Sequence, residues 1–151
     1  VFGPYLPYRT WDPRPVAGTV GLRAMSWHPA HEQWGATQMQ NRFQRFAKRF
    51  MLPLDYQAWL AVRAVGEAAS RVNPDDFAAM NAHLRGDTLE LAAFKGQKVT
   101  FRPWDGQLRQ PIIVAGPELP VSMSPQQGFL HERAEVDTLG IDAPESRCKF
   151  Q

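Results

Sequence analysis

The stretch of residues 98–114 constrains the fold of this chain more than any other. Two β-like runs, KVTFRPW and QLRQPIIV, flank the dipeptide Asp105-Gly106. Asp and Gly tolerate the positive φ angles of a two-residue type I′ turn, so the pattern predicts a β-hairpin. In that hairpin Arg102 lies directly opposite Arg109 on the same face of the strand pair.

The two opposed arginines need an anionic neighbour, because like charges directly across a strand pair destabilise it. One interpretation is a nearby Asp or Glu on a packed helix. The other is the carboxylate of a bound ligand, held by the forked guanidinium groups of Arg102 and Arg109. A longer loop would change the register of the hairpin and remove this argument.

The composition is typical of a globular protein large enough for one domain with a core. The chain has 151 residues, of which 44% are hydrophobic and 21% charged. A net charge of only +2 gives no argument for nucleic-acid binding. No run approaches the roughly 18 apolar residues of a membrane-spanning helix.

Cys148 is the single cysteine, which excludes an internal disulfide. Because the chain begins with Val1 rather than Met, we expect it to be part of a longer gene product.

The first predicted helix covers residues 32–51. Apolar residues recur there at three- and four-residue steps and define one face, namely Ala36, Met39, Phe43, Phe46, Ala47 and Phe50. The rest of the helix surface carries four cationic residues, which we interpret as a solvated face. They are Arg42, Arg45, Lys48 and Arg49. Leu52-Pro53 is expected to end this helix.

Two further helices are predicted before the hairpin. The second covers residues 55–71, with Asp55 as its N-cap. Its apolar residues spread around most of the helix circumference, and this distribution predicts a helix that is buried on nearly all sides. These apolar residues are Tyr56, Trp59, Leu60, Val62, Val65 and Ala68. The third helix starts at Asn73-Pro74, a strong start signal, and runs to Arg85, with Gly86 as its C-terminal cap.

The rest of the chain is expected to be less regular. Residues 20–25 and 119–123 are candidate short strands, and residues 89–94 form an apolar turn. The chain therefore divides into an aromatic and proline-rich lead segment (1–31), a body of helices and hairpin (32–115), and an irregular tail (116–151).

Aromatic and cationic side chains are concentrated near the N-terminus, most of them on proline-containing segments that are not expected to be helical. They are Arg9, Trp11, Arg14, Trp27, His28 and Trp34. A Trp ring on such a loop needs to be covered, either by the body of the protein or by a planar ligand stacked on the indole. Arginines interleaved with Trp suit a flat polycarboxylate. Together with Arg102, Trp104 and Arg109, these residues form the predicted ligand site.

The sequence gives no case for catalysis. The four histidines, at positions 28, 31, 83 and 131, lack metal-ligand spacing, and no nucleophile elbow or glycine-rich phosphate loop occurs. We therefore expect a non-enzymatic protein that requires no metal and no cofactor.

Several motifs resemble a known family. A Tyr-x-Ala-Trp helix, a capped helix and then Phe-x-Gly-Gln-x-Val-Thr-Phe-Arg before a glycine turn resemble the C-terminal part of type I periplasmic solute-binding proteins of ABC transporters. More specific stretches resemble the subfamily found near PQQ (pyrroloquinoline quinone)-dependent alcohol dehydrogenase systems. They are residues 101–111 (FRPWDGQLRQP), Tyr8-Arg9-Thr10-Trp11, residues 31–38 (HEQWGATQ), residues 124–131 (SPQQGFLH) and Asp137-Thr138-Leu139-Gly140.

The resemblance implies an α/β fold with two lobes and a ligand cleft between them, of which this chain carries the C-terminal portion. It implies a periplasmic solute-binding component of an ABC importer linked to PQQ-dependent alcohol oxidation. PQQ, a planar tricarboxylate, or a related small anion is then the expected ligand, and the membrane subunits of the transporter are expected partners. The alternative is a structural or interaction subunit that docks on a larger periplasmic partner such as a quinoprotein dehydrogenase.

Overall fold

The structure, a computed structural model, describes residues 5–6, 9–131, 136 and 141–147. Cys148 and the motif at residues 137–140 lie outside the described residues. The described part mixes helices with two small antiparallel sheets. Its helices are α1 (Ala36–Ala47), α2 (Pro53–Arg71) and α3 (Phe77–Arg85). Its strands are β1 (Arg23–Met25), β2 (Leu91–Ala92), β3 (Lys98–Phe101), β4 (Leu108–Arg109), β5 (Ile112–Ala115) and β6 (Pro120–Ser124).

The chain forms two compact units, each built from stretches that are distant in sequence. Unit 1 comprises Val1–Tyr56 and Ile112–Ser124, and unit 2 comprises Gln57–Pro111 and Pro125–Gln151. Composition along the chain does not reveal this grouping. No helix among the described residues combines the length and the apolar character needed to cross a bilayer.

The sheet of unit 1 has the strand order β1-β5-β6. Ala24 pairs with Val114, and Ile113 pairs with Met123, with an irregularity after Val114. The strands expected at residues 20–25 and 119–123 are therefore present. The main buried apolar residues of this unit are Trp27, Ala36, Met39, Met51, Tyr56, Ile113 and Ala115.

Helix α1 is shorter than predicted, because residues with left-handed backbone conformations bound it. Trp34 has φ 52° and Gly35 has φ 82°, so the helix begins only at Ala36. Lys48 has φ 58° and forms the C-terminal cap, donating its backbone N–H to the carbonyl of Gln44. The predicted apolar face is also partly wrong, since Phe46 is 90% exposed.

The turn between α1 and α2 reverses the role expected of Leu52-Pro53. Pro53 is the first residue of α2, where its missing N–H costs nothing. Asp55 lies inside the first turn rather than at the N-cap, and its carboxylate accepts from the backbone N–H of Leu52 at 2.9 Å. The carboxylate also receives two hydrogen bonds from Arg49, at 2.6 and 2.8 Å. These bonds lower the pKa of Asp55 to about 2.

Helix α2 is buried along one face and not on nearly all sides as predicted. Its fully buried residues recur at four-residue steps, namely Tyr56, Leu60, Ala64 and Ala68. Val62 and Val65 are 74% and 52% exposed. Small alanines in the buried stripe allow close packing, which the count of large apolar residues did not indicate.

Helix α3 begins four residues after Asn73. Asp76 is its N-cap and accepts from the backbone N–H of Ala79 at 3.0 Å. The Asn73 side chain instead accepts from the N–H of Asp75, so it caps a separate turn. Gly86 is the C-cap as predicted, with an extended rather than left-handed backbone.

The sheet of unit 2 has the strand order β2-β3-β4. Leu91 pairs with Val99, so the segment predicted as an apolar turn contains a strand. Thr100 pairs with Arg109, and Phe101 pairs with Leu108. The main buried apolar residues of the unit are Leu60, Ala64, Ala68, Leu89, Leu91, Ala93 and Val99.

Candidate functional site

The predicted hairpin exists, but its loop is longer than two residues. Residues 102–107 connect β3 and β4, and Gly106 has the positive φ, 70°, expected of a turn glycine. The backbone N–H of Arg102 donates to the carbonyl of Gln107 at 2.8 Å. Arg102 therefore lies opposite Gln107 and not opposite Arg109, so the like-charge argument for a ligand anion is wrong.

Arg102 is a buried cation whose partners come from the protein itself. Only 4% of the residue is exposed, and Nη1 donates to Oδ2 of Asp105 at 3.1 Å. The same atom donates to the carbonyl of Ile141 at 3.2 Å. The guanidinium carbon lies 4.9 Å from the ring centre of Trp104, a cation–π contact. The turn itself therefore supplies a carboxylate that neutralises Arg102.

Arg109 forms a side-chain hydrogen bond within the hairpin. Its Nε donates to Oγ1 of Thr100 at 3.1 Å, directly across the strand pair. The side chain is half-buried. Of the two hairpin arginines, Arg109 is the one with the more exposed side chain.

Lys95 is a buried titratable group that the sequence analysis did not identify. It is 1% exposed, and its Nζ donates to Oε1 of Gln110 at 2.7 Å and to the carbonyl of Pro111 at 2.8 Å. It lies between Phe94 and Gly96, which both have positive φ angles. The sequence feature that could have indicated this buried lysine is its position between an apolar run and a glycine. Burial lowers the pKa of Lys95 from 10.5 to about 7.

Burial of Lys95 predicts that the protein becomes more stable as pH rises above 7. Below pH 7 the amine is protonated in the folded and the unfolded chain. Between pH 7 and 10.5 the unfolded chain holds the proton more tightly, so the free energy of unfolding increases with pH. We expect an increase on the order of 2 kcal/mol from pH 7 to pH 9. Urea unfolding at pH 7, 8 and 9 measures it.

The matched variants are Lys95→Met and Lys98→Met. Lys98 is exposed and bonds to the carboxylate of Glu90 on the surface. The Lys95→Met protein should lose the pH-dependent increase, whereas the Lys98→Met protein should retain it. Equal pH profiles for the wild type and Lys95→Met would contradict the assignment.

Trp27 and His28 belong to the interior of unit 1. Trp27 is fully buried, stacks on Tyr56 with ring centres 4.9 Å apart, and donates from Nε1 to Oε1 of Gln40 at 3.1 Å. His28 accepts at Nδ1 from the N–H of Ala30. Burial lowers the pKa of His28, opposed by a hydrogen bond to the carbonyl of Pro117. The protein body therefore covers Trp27, as one of the two interpretations expected.

Trp34 lies at the margin of this interior and is 51% exposed. Its ring centre is 5.7 Å from that of His31, which in turn lies 5.8 Å from Trp27 in an edge-to-face arrangement. A cavity of about 270 Å³ borders His31, and its lining includes Glu32, Gln33, Ser122 and Met123. Mixed polar and apolar walls of this kind suit a small polar molecule. The sequence analysis did not identify this cavity.

Arg9, Trp11 and Arg14, like Trp34, are predicted site residues that are exposed to solvent. Trp11 is 99% exposed, and both arginines are exposed. Arg14 donates from Nη2 to Oδ2 of Asp12 at 3.0 Å, a surface ion pair that solvent screens. The indole of Trp11 therefore has both faces available, with two cationic residues nearby in the chain.

Among the residues that the structure describes, no three His, Cys, Asp or Glu side chains come together in a way that could hold a metal ion. In comparisons with known proteins, no family, no curated protein and no solved structure matches this chain.

Proposed function

We propose that this chain is a non-catalytic, periplasmic solute-binding component of an ABC importer linked to PQQ-dependent alcohol oxidation. Its ligand is PQQ or a related small anion, captured between two lobes of a periplasmic binding protein fold. The membrane subunits of the transporter receive the ligand. The sequence motifs described above nominate this family and this ligand, and the mixed helix and sheet content is compatible with them.

One observation carries the proposal, namely the fully exposed Trp11 flanked in sequence by Arg9 and Arg14. An indole is a large apolar surface, and leaving it in water forgoes the favourable free energy of burial. A planar aromatic anion covers the ring, and the guanidinium groups bond its carboxylates. PQQ combines a flat ring system with three carboxylates, so one ligand satisfies both requirements.

In this proposal the other predicted site residues have different roles. Trp27 and Arg102 are buried with protein partners, so they support the fold around a site rather than contact a ligand. Trp34, Trp104 and Arg109 are each only partly covered and remain candidates for contact. In this proposal the ligand contacts come first from Trp11, Arg9 and Arg14.

Calorimetric titration with PQQ tests the proposal. The wild-type chain should bind PQQ in a saturable manner, and Trp11→Ala should raise Kd about tenfold, the loss of one stacked aromatic surface. Arg14→Gln should raise Kd about threefold, because its exposed charge is screened. A neutral amino acid such as leucine, titrated in place of PQQ, should give no saturable heat.

Two exposed residues elsewhere provide controls of the same chemistry. Phe129→Ala removes an aromatic ring that is 74% exposed, and Arg147→Gln removes an exposed cation. Both variants should bind PQQ like the wild type. An absence of saturable binding, or an equal loss of affinity in the controls, would refute the ligand assignment.

A second candidate function is a structural or interaction subunit, docked on a larger periplasmic partner such as a quinoprotein dehydrogenase. The observation that favours it is the exposure of Val62 and Val65 on α2, since apolar residues that share a region of surface commonly mark protein contacts. Size exclusion with mass measurement distinguishes the two functions. A monomer that binds PQQ supports the solute-binding function. A chain that forms a stable complex with the larger partner and has no affinity for PQQ supports the function as an interaction subunit.

A further inference from the structure

The segment from Gln33 to Leu54 is the most cationic part of the chain. It contains Arg42, Arg45, Lys48 and Arg49 and no Asp or Glu, although the whole protein has a net charge of only +2. Arg49 is neutralised by Asp55. Within the part of the chain that the structure describes, the other three cations form no ion pair with a carboxylate.

The same segment exposes large apolar side chains at the end of α1 and in the turn that follows. Phe46 is 90% exposed, Leu54 is 75% exposed, and Phe50 and Leu52 are each more than half exposed. All four lie in unit 1. Met51, between Phe50 and Leu52, is only 2% exposed, so its side chain is buried in the interior and anchors the turn there.

Several hydrogen bonds fix the shape of this turn. Lys48 caps α1 in the left-handed conformation, and Arg49 bonds to the carboxylate of Asp55 and to the carbonyl of Phe50. The guanidinium of Arg49 also lies 5.1 Å from the ring centre of Phe43. The exposed apolar side chains are therefore held outward by a defined backbone.

A shallow hollow of about 550 Å³ lies beside the turn. Its lining consists of Asn41, Gln44, Arg45 and Lys48. All four side chains carry N–H donors, and two of them are cations. Such a lining suits an anion with several acceptor oxygens, and a phosphate has this chemistry.

We propose that the α1–α2 turn binds the surface of an anionic phospholipid bilayer. The hollow holds a lipid phosphate, and Phe50, Leu52 and Leu54 enter the boundary between headgroups and acyl chains. Cationic residues next to Phe and Leu are the composition that interfacial membrane binders use. The exposed apolar residues project separately from a turn, and a fluid bilayer accepts such projections without a complementary groove. An acidic protein partner would need a groove matched to them.

Co-sedimentation of the full chain with vesicles tests the proposal. Vesicles of phosphatidylcholine alone are compared with vesicles that contain 30% phosphatidylglycerol, about the charge of an anionic leaflet. The chain should bind the anionic vesicles and not the neutral ones, and raising salt from about 50 to about 500 mM should release it. Arg45→Gln with Lys48→Gln should weaken binding about 25-fold, or about fivefold for each cation.

The apolar contribution is tested with Phe50→Ser and Leu54→Ser together, which should weaken binding about tenfold. Controls are Phe77→Ser, at an 83% exposed apolar position in unit 2, and Arg147→Gln. Circular dichroism should show that every variant is folded. Equal binding to neutral and anionic vesicles, no binding at low salt, equal losses in the controls, or binding to a polyglutamate peptide in place of vesicles would each overturn the proposal.

Discussion

Replacing Trp27 with alanine is expected to lower the free energy of unfolding by about 3–5 kcal/mol, the range for deleting a large buried aromatic side chain. The ring is fully buried and stacks on Tyr56. Its loss leaves a cavity and removes the hydrogen bond to Oε1 of Gln40. Among the described residues the buried Nε2 atom of Gln40 has no hydrogen-bond partner, so the variant leaves this amide with neither end satisfied by them.

Urea unfolding followed by circular dichroism measures this effect. Trp11→Ala is the matched control, because the same residue type is there 99% exposed. That variant should unfold like the wild type to within about 0.5 kcal/mol. Similar losses at positions 11 and 27 would contradict the assignment of Trp27 to the interior and Trp11 to the surface.

Replacing Arg102 with methionine is expected to lower the free energy of unfolding by about 3–4 kcal/mol, as when one partner of a buried ion pair is removed. The change leaves the largely buried carboxylate of Asp105 and the carbonyl of Ile141 without this donor. Methionine retains much of the apolar stem, so the loss reports mainly on the charge and its hydrogen bonds.

Arg109→Met on the same hairpin provides the comparison. Arg109 is half-buried and donates to the neutral hydroxyl of Thr100, so its loss should cost about 1 kcal/mol. Thermal and urea unfolding of both variants, followed by circular dichroism, make the measurement. If Arg109→Met proves the more destabilising change, the hairpin register described here is wrong.

The presence of each helix could be predicted from sequence, but its ends could not. The start signals predicted at Asp55 and Asn73-Pro74 lie within a few residues of the first residues of α2 and α3, Pro53 and Phe77. The ends of α1 depend on Trp34 and Lys48, which adopt a left-handed conformation unusual for their residue types. The residue types at these two positions therefore do not indicate where the helix begins and ends.

The presence of the hairpin could likewise be predicted from sequence, but the pairing of residues across it could not. Asp105-Gly106 correctly indicates a turn with positive φ at the glycine. Asp105, however, accepts from the N–H of Gln107 and from Arg102, which stabilises a wider loop than the two-residue turn. The side-chain bonds that selected this loop form only in the folded chain, and the pairing of residues 102 and 109 was therefore predicted wrongly.

The candidate site could be predicted as a set of residue types but not as an arrangement. Trp11 and Trp27 each precede a proline by two residues in the N-terminal segment, yet one is at the surface and the other is fully buried. Burial depends on packing partners such as Tyr56 and Gln40, which are distant in sequence. Lys95 escaped prediction for the same reason, because Gln110 and Pro111 accept its hydrogen bonds from 15 and 16 residues away.

Calorimetric titration of the wild-type and Trp11→Ala proteins with PQQ tests the central claim, anion capture at the exposed indole, most directly. We predict one saturable site in the wild type and a Kd about tenfold higher in Trp11→Ala, with unchanged unfolding. No saturable heat with the wild type, or the same Kd for both proteins, would contradict the claim.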